Sequence, residues 1–349
     1  MPLSAHDLDG YDYELPPAAI AQHPAAERDS ARLLVLDRRS GTRSHRHVRD
    51  LPAVFRAGDL LVLNDTRVIP ARLHGSTETG AHVEVLLVRP IERGTWSCLA
   101  RPVKRLKVDR RIRFAARDGG MLDGGVVVGN QDGRIELAFD GVQVEEVLER
   151  CGELPLPPYI ERAPADGDRD RYQTVYARAP GAIAAPTAGL HFTPALLEVL
   201  RAAGVETAMV TLHVGPGTFQ PVRERDVRGH RMEAEWAEIP ARSAAAIGRA
   251  RAEGRRVIAI GTTTTRALES RATPEGVVAA GAGWADGFIL PGHEFRIIDG
   301  LLTNFHLPRS TLLMLVAALA GREEILGAYA EALQRGYRFY SYGDAMLIL

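Results

Sequence analysis

The sequence predicts an α/β protein: a mixed α/β main domain formed by residues 1–67 and 150–349, with a small β-barrel inserted at 68–149. Three observations carry this. The chain has 349 residues, 46% hydrophobic and 25% charged, an ordinary globular composition whose length suits two domains or one domain with a large insertion. Between about 68 and 142, short strand signals separated by Gly and Asp turns succeed one another with no convincing helix. After about 150, helical and extended patterns alternate. No repeat period or low-complexity tract points to another architecture.

Taken in order, an extended pair, Leu33 to Asp37 and Thr42 to His47, flanks a turn at Gly41. A short helix then leads into the strand-like run DLLVLN at 59–64. Barrel strands are expected at Val68 to His74, Val83 to Val88, Thr95 to Ala100, Arg111 to Phe114, Gly125 to Val128 and Arg134 to Phe139. Five or six such strands close most simply into a small barrel. A helix over 142–152 follows, then helix Leu196 to Ala203 capped by Gly204, strand Glu206 to Val214, helix Ala241 to Ala252 before Gly254, and strand Arg256 to Ile260. Helices Ser310 to Ala320 and Glu323 to Gln334 complete the pattern, with Ser310 and Gly321 as end caps of the first.

Forty-three basic and forty-four acidic residues leave a formal charge of −1, which argues against a globally basic nucleic-acid binder but not against a local patch. Cys98 and Cys151 are the only cysteines, too few for a disulfide framework and without zinc-site spacing. The N-terminus lacks a basic segment followed by an apolar one, and the longest apolar run, Leu312 to Ala320, is too short to span a bilayer. A cytoplasmic protein with no membrane contact is expected.

Several segments could carry chemistry. Strand Arg256 to Ile260 runs into GTTTTRALES, where free N–H groups at a helix start near Gly261, Thr262, Thr263 and Thr264 would attract carboxylate or phosphate. No Gly-Lys-Ser/Thr follows, so it is not a P-loop, and a hydroxyl-capped helix after a buried strand is the plainer reading. In VTLHVGPGTFQPV, Gly215 and Gly217 suggest either a tight turn or backbone approach to a ligand beside His213. Gln220 stands where a dinucleotide fingerprint needs its third glycine, and Pro221 follows. His191, His213 and His306 each lie in a loop punctuated by Pro or Gly, suited to proton transfer but also to structural hydrogen bonds. Their spacing fits no metal motif, and no metal is expected. Glu233 and Glu235 alternate as on a strand, which would place both carboxylates on one face, either solvated or as a buried acid. The stretch 101–117 carries eight basic residues, including Lys104, Arg105, Lys107, Arg110 and Arg111, against one acidic, Asp109. The chain's only two lysines fall there, which favours a phosphate-rich partner over a merely solvated loop.

The strings YELPPAAIAQHP, GDLLVLNDTRVIPARLHG, GELPLPPYI, RYQTVYARAPGAIAAPTAGLHFT, VTLHVGPGTFQPV, IAIGTTTTRALES, PGHEFRIIDGLLTNFHLPRSTLLMLV and YRFYSYGDAM span residues 13–346. In them the chain resembles the S-adenosylmethionine:tRNA ribosyltransferase-isomerase family of the queuosine pathway, with a looser match over about 76–150. The resemblance implies an α/β domain with an inserted β-barrel. It also implies transfer of the ribosyl group of S-adenosylmethionine to 7-aminomethyl-7-deazaguanine at the tRNA wobble position, giving epoxyqueuosine-tRNA, adenine and methionine. S-adenosylmethionine is then a consumed substrate, and no cofactor is expected. The partners implied are S-adenosylmethionine and the modified tRNA, and a monomer is the expected state. His191, His213, Glu235 and His306 are the candidates for proton transfer. Gly215, Gly217 and the Gly261–Thr264 turn are candidates for holding S-adenosylmethionine, and the basic stretch for holding tRNA. One departure stands out: where the family has H-x-M-H-x-E, this chain reads His230-Arg231-Met232-Glu233-Ala234-Glu235. An obligatory imidazole at 233 is thereby put in doubt. Pro216 and Thr264-Thr265 are smaller departures.

Two other classes compete. A non-catalytic tRNA-binding factor would explain the basic stretch but leaves three histidine-bearing loops without work. An S-adenosylmethionine-dependent RNA methyltransferase would share the substrate but lacks the expected glycine pattern after its first strand. Adenine release decides against the first, and methyl leaving with methionine decides against the second.

Overall fold

The structure, a computed structural model, describes residues 4–92, 94–139, 143–165, 167–219 and 222–349. Val142 at the head of the expected helix, and Gln220 and Pro221 after the glycine turn, lie outside them. The chain opens with a hairpin of β1 (Arg32–Leu36) and β2 (Arg43–His47), then β3 (Leu60–Asn64) and β4 (Thr66–Val68). The barrel strands are β5 (Arg72–Thr77), β6 (His82–Glu92), β7 (Thr95–Arg101), β8 (Arg111–Ala115), β9 (Met121–Gln131) and β10 (Arg134–Ala138). Helices α1 (Val144–Cys151) and α2 (Asp168–Arg171) and strand β11 (Ala179–Ala182) follow. The rest of the chain runs α3 (Pro194–Ala202), β12 (Glu206–Leu212), β13 (Glu235–Ile239), α4 (Ala241–Ala252), β14 (Val257–Ile260) and α5 (Thr262–Glu269). It ends with β15 (Gly281–Ala285), β16 (Gly300–Asn304), α6 (Thr311–Ala320), α7 (Arg322–Gln334) and β17 (Ala345–Ile348).

Nine strands form one mixed sheet in the order β15-β13-β12-β3-β14-β16-β17-β1-β2, and the six strands β5–β10 close into an antiparallel barrel. The expected fold class, a mixed α/β domain carrying a small barrel, is the one observed. The central strands β12, β3, β14 and β16 run parallel, so their carboxyl ends share one edge. Every residue of β3, β14 and β16 is buried, as in a sheet covered on both faces. Alternation along β3 assigns the faces: Leu60 and Val62 belong to the core that includes Ala267 and Leu268 of α5 and extends to α6 and α7, while Leu61 and Leu63 belong to the core that includes Leu196 and Leu200 of α3. The side-chain hydroxyls of Thr193 and Ser310 accept the Leu196 and Leu313 N–H groups and so fix the starts of α3 and α6.

The barrel fills with Leu73, Val85, Leu87, Cys98, Phe114, Val127 and Leu137, and Val147 and Leu148 of α1 join that core. Val68 to His74, expected as one strand, is two. Pro70 supplies no N–H to a ladder, so β4 ends before it and pairs with β11, while β5 begins after it in the barrel. Strand β9 is longer than expected because Gly124 is not a turn residue here. A Cβ there would come within 2.2 Å of the Phe114 ring, so the glycine marks close packing inside the barrel.

Candidate active site

In open parallel sheets, ligands bind outside the carboxyl ends of the strands, and here those ends deliver most of the expected residues. Strand β12 runs into His213, β14 into Gly261 and α5, and β16 into His306. Strand β3 ends in Asn64-Asp65-Thr66, which ties the others together. Asn64 Nδ2 donates to Leu212 O at 3.0 Å and to Thr263 Oγ1 at 3.4 Å, and its Oδ1 accepts the N–H groups of Leu212 and Thr66 at 3.0 and 3.1 Å. Asp65 accepts from Thr211 Oγ1 at 2.6 Å and pairs with Arg178 at 2.7 Å. Thr66 Oγ1 and His213 Nδ1 are hydrogen bonded at 2.8 Å.

His213 borders a cleft of about 780 Å3 between the sheet and the barrel. Sheet-side residues Glu233, Glu235, Trp236 and Trp284 face Arg89, Trp96 and Arg134 of the barrel across it. All three tryptophans of the chain line this one cleft. The imidazole stacks on Trp236 at 5.1 Å and 15°. Burial lowers its pKa, a shift that nearby Asp65 partly opposes, so the neutral ring is favoured. On its other side lies Gly181, with φ of 148°, where a Cβ would come within 2.7 Å of Nε2. Only a bare backbone leaves room for that nitrogen.

Glu235 differs from both readings of the sequence, because it is neither a solvated carboxylate nor an isolated buried acid. It is 4% exposed, its Oε1 accepts the Gly215 N–H at 2.8 Å, and its Oε2 pairs with the equally buried Arg266. The Gly215 amide is thus committed to Glu235. Arg266 also donates to Gly287 O at 3.4 Å and Ala285 O at 3.3 Å. Glu233 does not share a strand face with Glu235, since β13 begins only at Glu235. It stands before the strand, paired with Arg134, so one ion pair bridges the sheet domain and the barrel across the cleft. Gly217 packs under Glu233, where a Cβ would meet the Glu233 Cβ at 2.9 Å. His230 lies nearby against Glu224, at 3.2 Å.

The α5 start forms a second, smaller pocket of about 40 Å3, lined by Gly261, Thr262, Thr263, Thr303, Asn304 and His306 among others. No side chain caps α5, so amides of its first turn are open to a ligand. Thr264 Oγ1 instead donates to Ile260 O at 2.7 Å. His306 Nε2 is hydrogen bonded to Thr303 Oγ1 at 2.9 Å, and burial pushes its pKa down to about 3. His191 lines neither pocket. Its Nε2 meets Asn304 Nδ2 at 3.1 Å, and burial, reinforced by Arg338, lowers its pKa to about 4. Val214 walls the small pocket and its neighbour Gly215 the large cleft, so the two adjoin along one stretch of backbone.

The basic stretch lies on the barrel. Lys104, Arg105, Lys107 and Arg111 are exposed with no ion pair among the described residues, whereas Arg110 pairs with Glu78 at 3.7 Å. Asn130 Nδ2 donates to Leu106 O at 2.7 Å and holds that segment on β9. Among the described residues, no group of three or more His, Cys, Asp or Glu side chains could hold a metal ion. No helix of the described residues is long and apolar enough to cross a membrane. The sequence reading missed Asn64, Asp65 and Thr66, Arg266 and the three tryptophans. The LND run after an apolar strand was a usable signal only for the first of these groups.

Residues 8–348 match the family model described as queuosine biosynthesis protein. The S-adenosylmethionine:tRNA ribosyltransferase-isomerase of Moorella thermoacetica is 54% identical, covering 98% of this chain and 99% of that one. Its counterpart in Gloeobacter violaceus is 52% identical over 100% and 98%. The crystal structure of the S-adenosylmethionine tRNA ribosyltransferase from Thermotoga maritima aligns with a TM-score of 0.56 at 38% identity, covering 97% of this chain and 100% of that one. With strand-end geometry, barrel and sequence agreeing over nearly the whole length, the chain belongs to the queuosine biosynthesis protein family.

Proposed function

We propose that the protein transfers the ribosyl group of S-adenosylmethionine to a 7-aminomethyl-7-deazaguanine at the tRNA wobble position, forming epoxyqueuosine-tRNA and releasing adenine and methionine. Full-length similarity to relatives named S-adenosylmethionine:tRNA ribosyltransferase-isomerase supports the activity. The observation in the fold that carries it is the joining of two unlike pockets: a tryptophan-lined cleft suited to planar bases and a small polar pocket at the α5 start.

The chemistry needs a base for the ribose carbon beside the sulfonium, a proton donor for departing adenine, and an anchor for the methionine carboxylate. His213 suits the base. Burial keeps its ring neutral, Thr66 occupies Nδ1, and Gly181 leaves Nε2 uncovered by a side chain. Amides at Gly261–Thr264 suit the carboxylate. His306, held by Thr303, faces that pocket and suits a neutral proton partner. In this reading Glu235 is a positioning residue that clamps the Gly215 turn, and His191 orients Asn304. Lys104, Arg105, Lys107, Arg110 and Arg111 would meet tRNA phosphates.

Incubation with S-adenosylmethionine and tRNA carrying the aminomethyl base should yield adenine and methionine together. S-adenosylhomocysteine as product would replace this reading with methyl transfer, and tRNA binding without either product would leave only a binding factor.

A further inference from the structure

Trp284 is the largest apolar side chain exposed among the described residues, at 54%. An indole left in water on an edge strand, within a cleft, has a large apolar face available to a partner. It does not stand alone. The β13–β15 register sets Trp236 directly opposite Trp284, and Trp236 in turn stacks on His213. From the barrel, the Arg89 guanidinium lies 5.4 Å from the Trp284 ring centroid. Four planar groups, His213, Trp236, Trp284 and Arg89, therefore run in sequence from the end of β12 to the barrel. The same barrel carries the exposed cations Lys104, Arg105, Lys107 and Arg111, none of them paired to a carboxylate among the described residues.

We propose that Trp284, flanked by Arg89, is a stacking platform for an unpaired base of an RNA loop, adjacent to the base that reacts in the cleft. The inference rests on the reading that RNA is the substrate. The shared chemistry is a nucleobase, which both RNA and S-adenosylmethionine could supply, and charge chooses between them. S-adenosylmethionine carries a sulfonium and no phosphate, so Arg89 beside Trp284 offers it repulsion, whereas Arg134 is already offset by its pair with Glu233. A base on a phosphodiester chain gains from Arg89 and from the barrel cations. Splayed bases stacked on aromatic rings or arginine planes are a general way in which proteins grip RNA loops.

The test uses the intact protein and a labelled RNA stem–loop with an unpaired loop. Trp284→Ala should weaken RNA binding by about 5- to 150-fold, the range found for losing one base–aromatic stack, whereas Trp284→Phe should stay within about 3-fold of wild type. S-adenosylmethionine affinity, measured without RNA, should not change in either variant. Replacing loop nucleotides one at a time by an abasic residue should identify one position where wild type loses as much as Trp284→Ala has already lost, and where the variant loses no more. Weaker S-adenosylmethionine binding with RNA binding intact would assign the indole to adenine and overturn the proposal. Unchanged binding of both ligands would overturn it as well. Adenine release by the wild-type protein is scored separately, so failure of the ribosyl-transfer reading would be seen apart from failure of the platform.

Discussion

Replacing Glu235 by Gln separates a carboxylate that positions from one that moves protons. The two partners of its ion pair are 4% and 3% exposed, and the guanidinium of Arg266 has no solvent to turn to when the charge opposite it is removed. Gln keeps the shape and can still accept the Gly215 N–H, but it sets an amide or a neutral oxygen against a buried cation. Removing one member of such a pair costs about 3–5 kcal/mol, mostly the burden of the orphaned charge. Arg266→Met should cost a similar amount. The double variant should cost only about 1–3 kcal/mol, because no buried charge remains: what is left is the Gln amide and two carbonyls, Gly287 O and Ala285 O, whose bonds to Arg266 are long at 3.4 and 3.3 Å. Urea unfolding of the four proteins should therefore give a coupling of several kcal/mol rather than additive losses. Adenine release should fall in Glu235→Gln in step with its stability, because the Gly215 turn and neighbouring His213 lose their clamp. A stable Glu235→Gln protein whose kcat has dropped by about 100- to 10,000-fold would refute this and make Glu235 a proton-transfer group in its own right.

His191 and His306 titrate in the folded protein near 4 and 3, below the ordinary value of about 6.5, so the unfolded chain binds more protons between those limits. Stability should be complete above about pH 6.5 and fall as pH drops from there toward 4, by up to about 1.4 kcal/mol per pH unit for each residue, and a slope unchanged in His191→Asn or His306→Gln would exclude that residue as its source. Replacing Lys104, Arg105 and Lys107 by Ala should flatten the dependence of log affinity for tRNA on log salt by about 2 to 3, at 0.7 to 0.9 per lost phosphate contact, and an unchanged slope would place the tRNA elsewhere. His213→Ala should lower kcat by about 100- to 10,000-fold while RNA binding persists, and wild-type turnover in that variant would remove it as the base. Glu233→His should cost no more than about 1 kcal/mol, since its pair with Arg134 is 38% and 28% exposed, and should keep measurable adenine release; complete loss of turnover with both ligands bound would make Glu233 essential.

The elements legible in the sequence were those whose own residues declare them. Helix α4 fell where its pattern put it, between Pro240 and the Gly254 turn, and α6 began at its Ser310 cap. Strands β16 and β17 were not legible, because GLLTN holds only two large apolar residues beside Gly, Thr and Asn, and AMLI is an apolar run of four that could equally belong to a buried helix. Strand β15, GAGWA, carries two glycines and forms only because β13 offers it an edge. The site followed the same rule. His213, Gly261 and His306 were visible because Gly, Pro and His break apolar strands at their ends. Glu235 was visible as a carboxylate, but not its buried partner, which lies 31 residues away and in an arginine-rich chain looks like any other arginine. The alternation of Glu233 and Glu235 misled because strand pairing starts at the second of them.

Asn64, Asp65 and Thr66 show why a tripeptide that reads as a polar turn can matter more than the segments flanking it. Each side chain is buried, and together they tie down the neighbouring strand ends: Asn64 the end of β12 and the α5 start, Asp65 the β12 strand and Arg178, Thr66 the ring of His213. Because β3 is hydrogen bonded on both sides, to β12 and β14, its end cannot shift without moving the ends of both neighbours. The large cleft hangs from β12 and the small pocket from β14, so the spacing between them is set at β3. On the proposed reading, a molecule with its amino-acid end at α5 and its base in the cleft crosses Val214 and Gly215, next to the neutral His213 ring at the end of β12. The tripeptide thus holds base, carboxylate anchor and nucleobase cleft in one register without touching the substrate, which is the role expected of residues supporting a preorganised site.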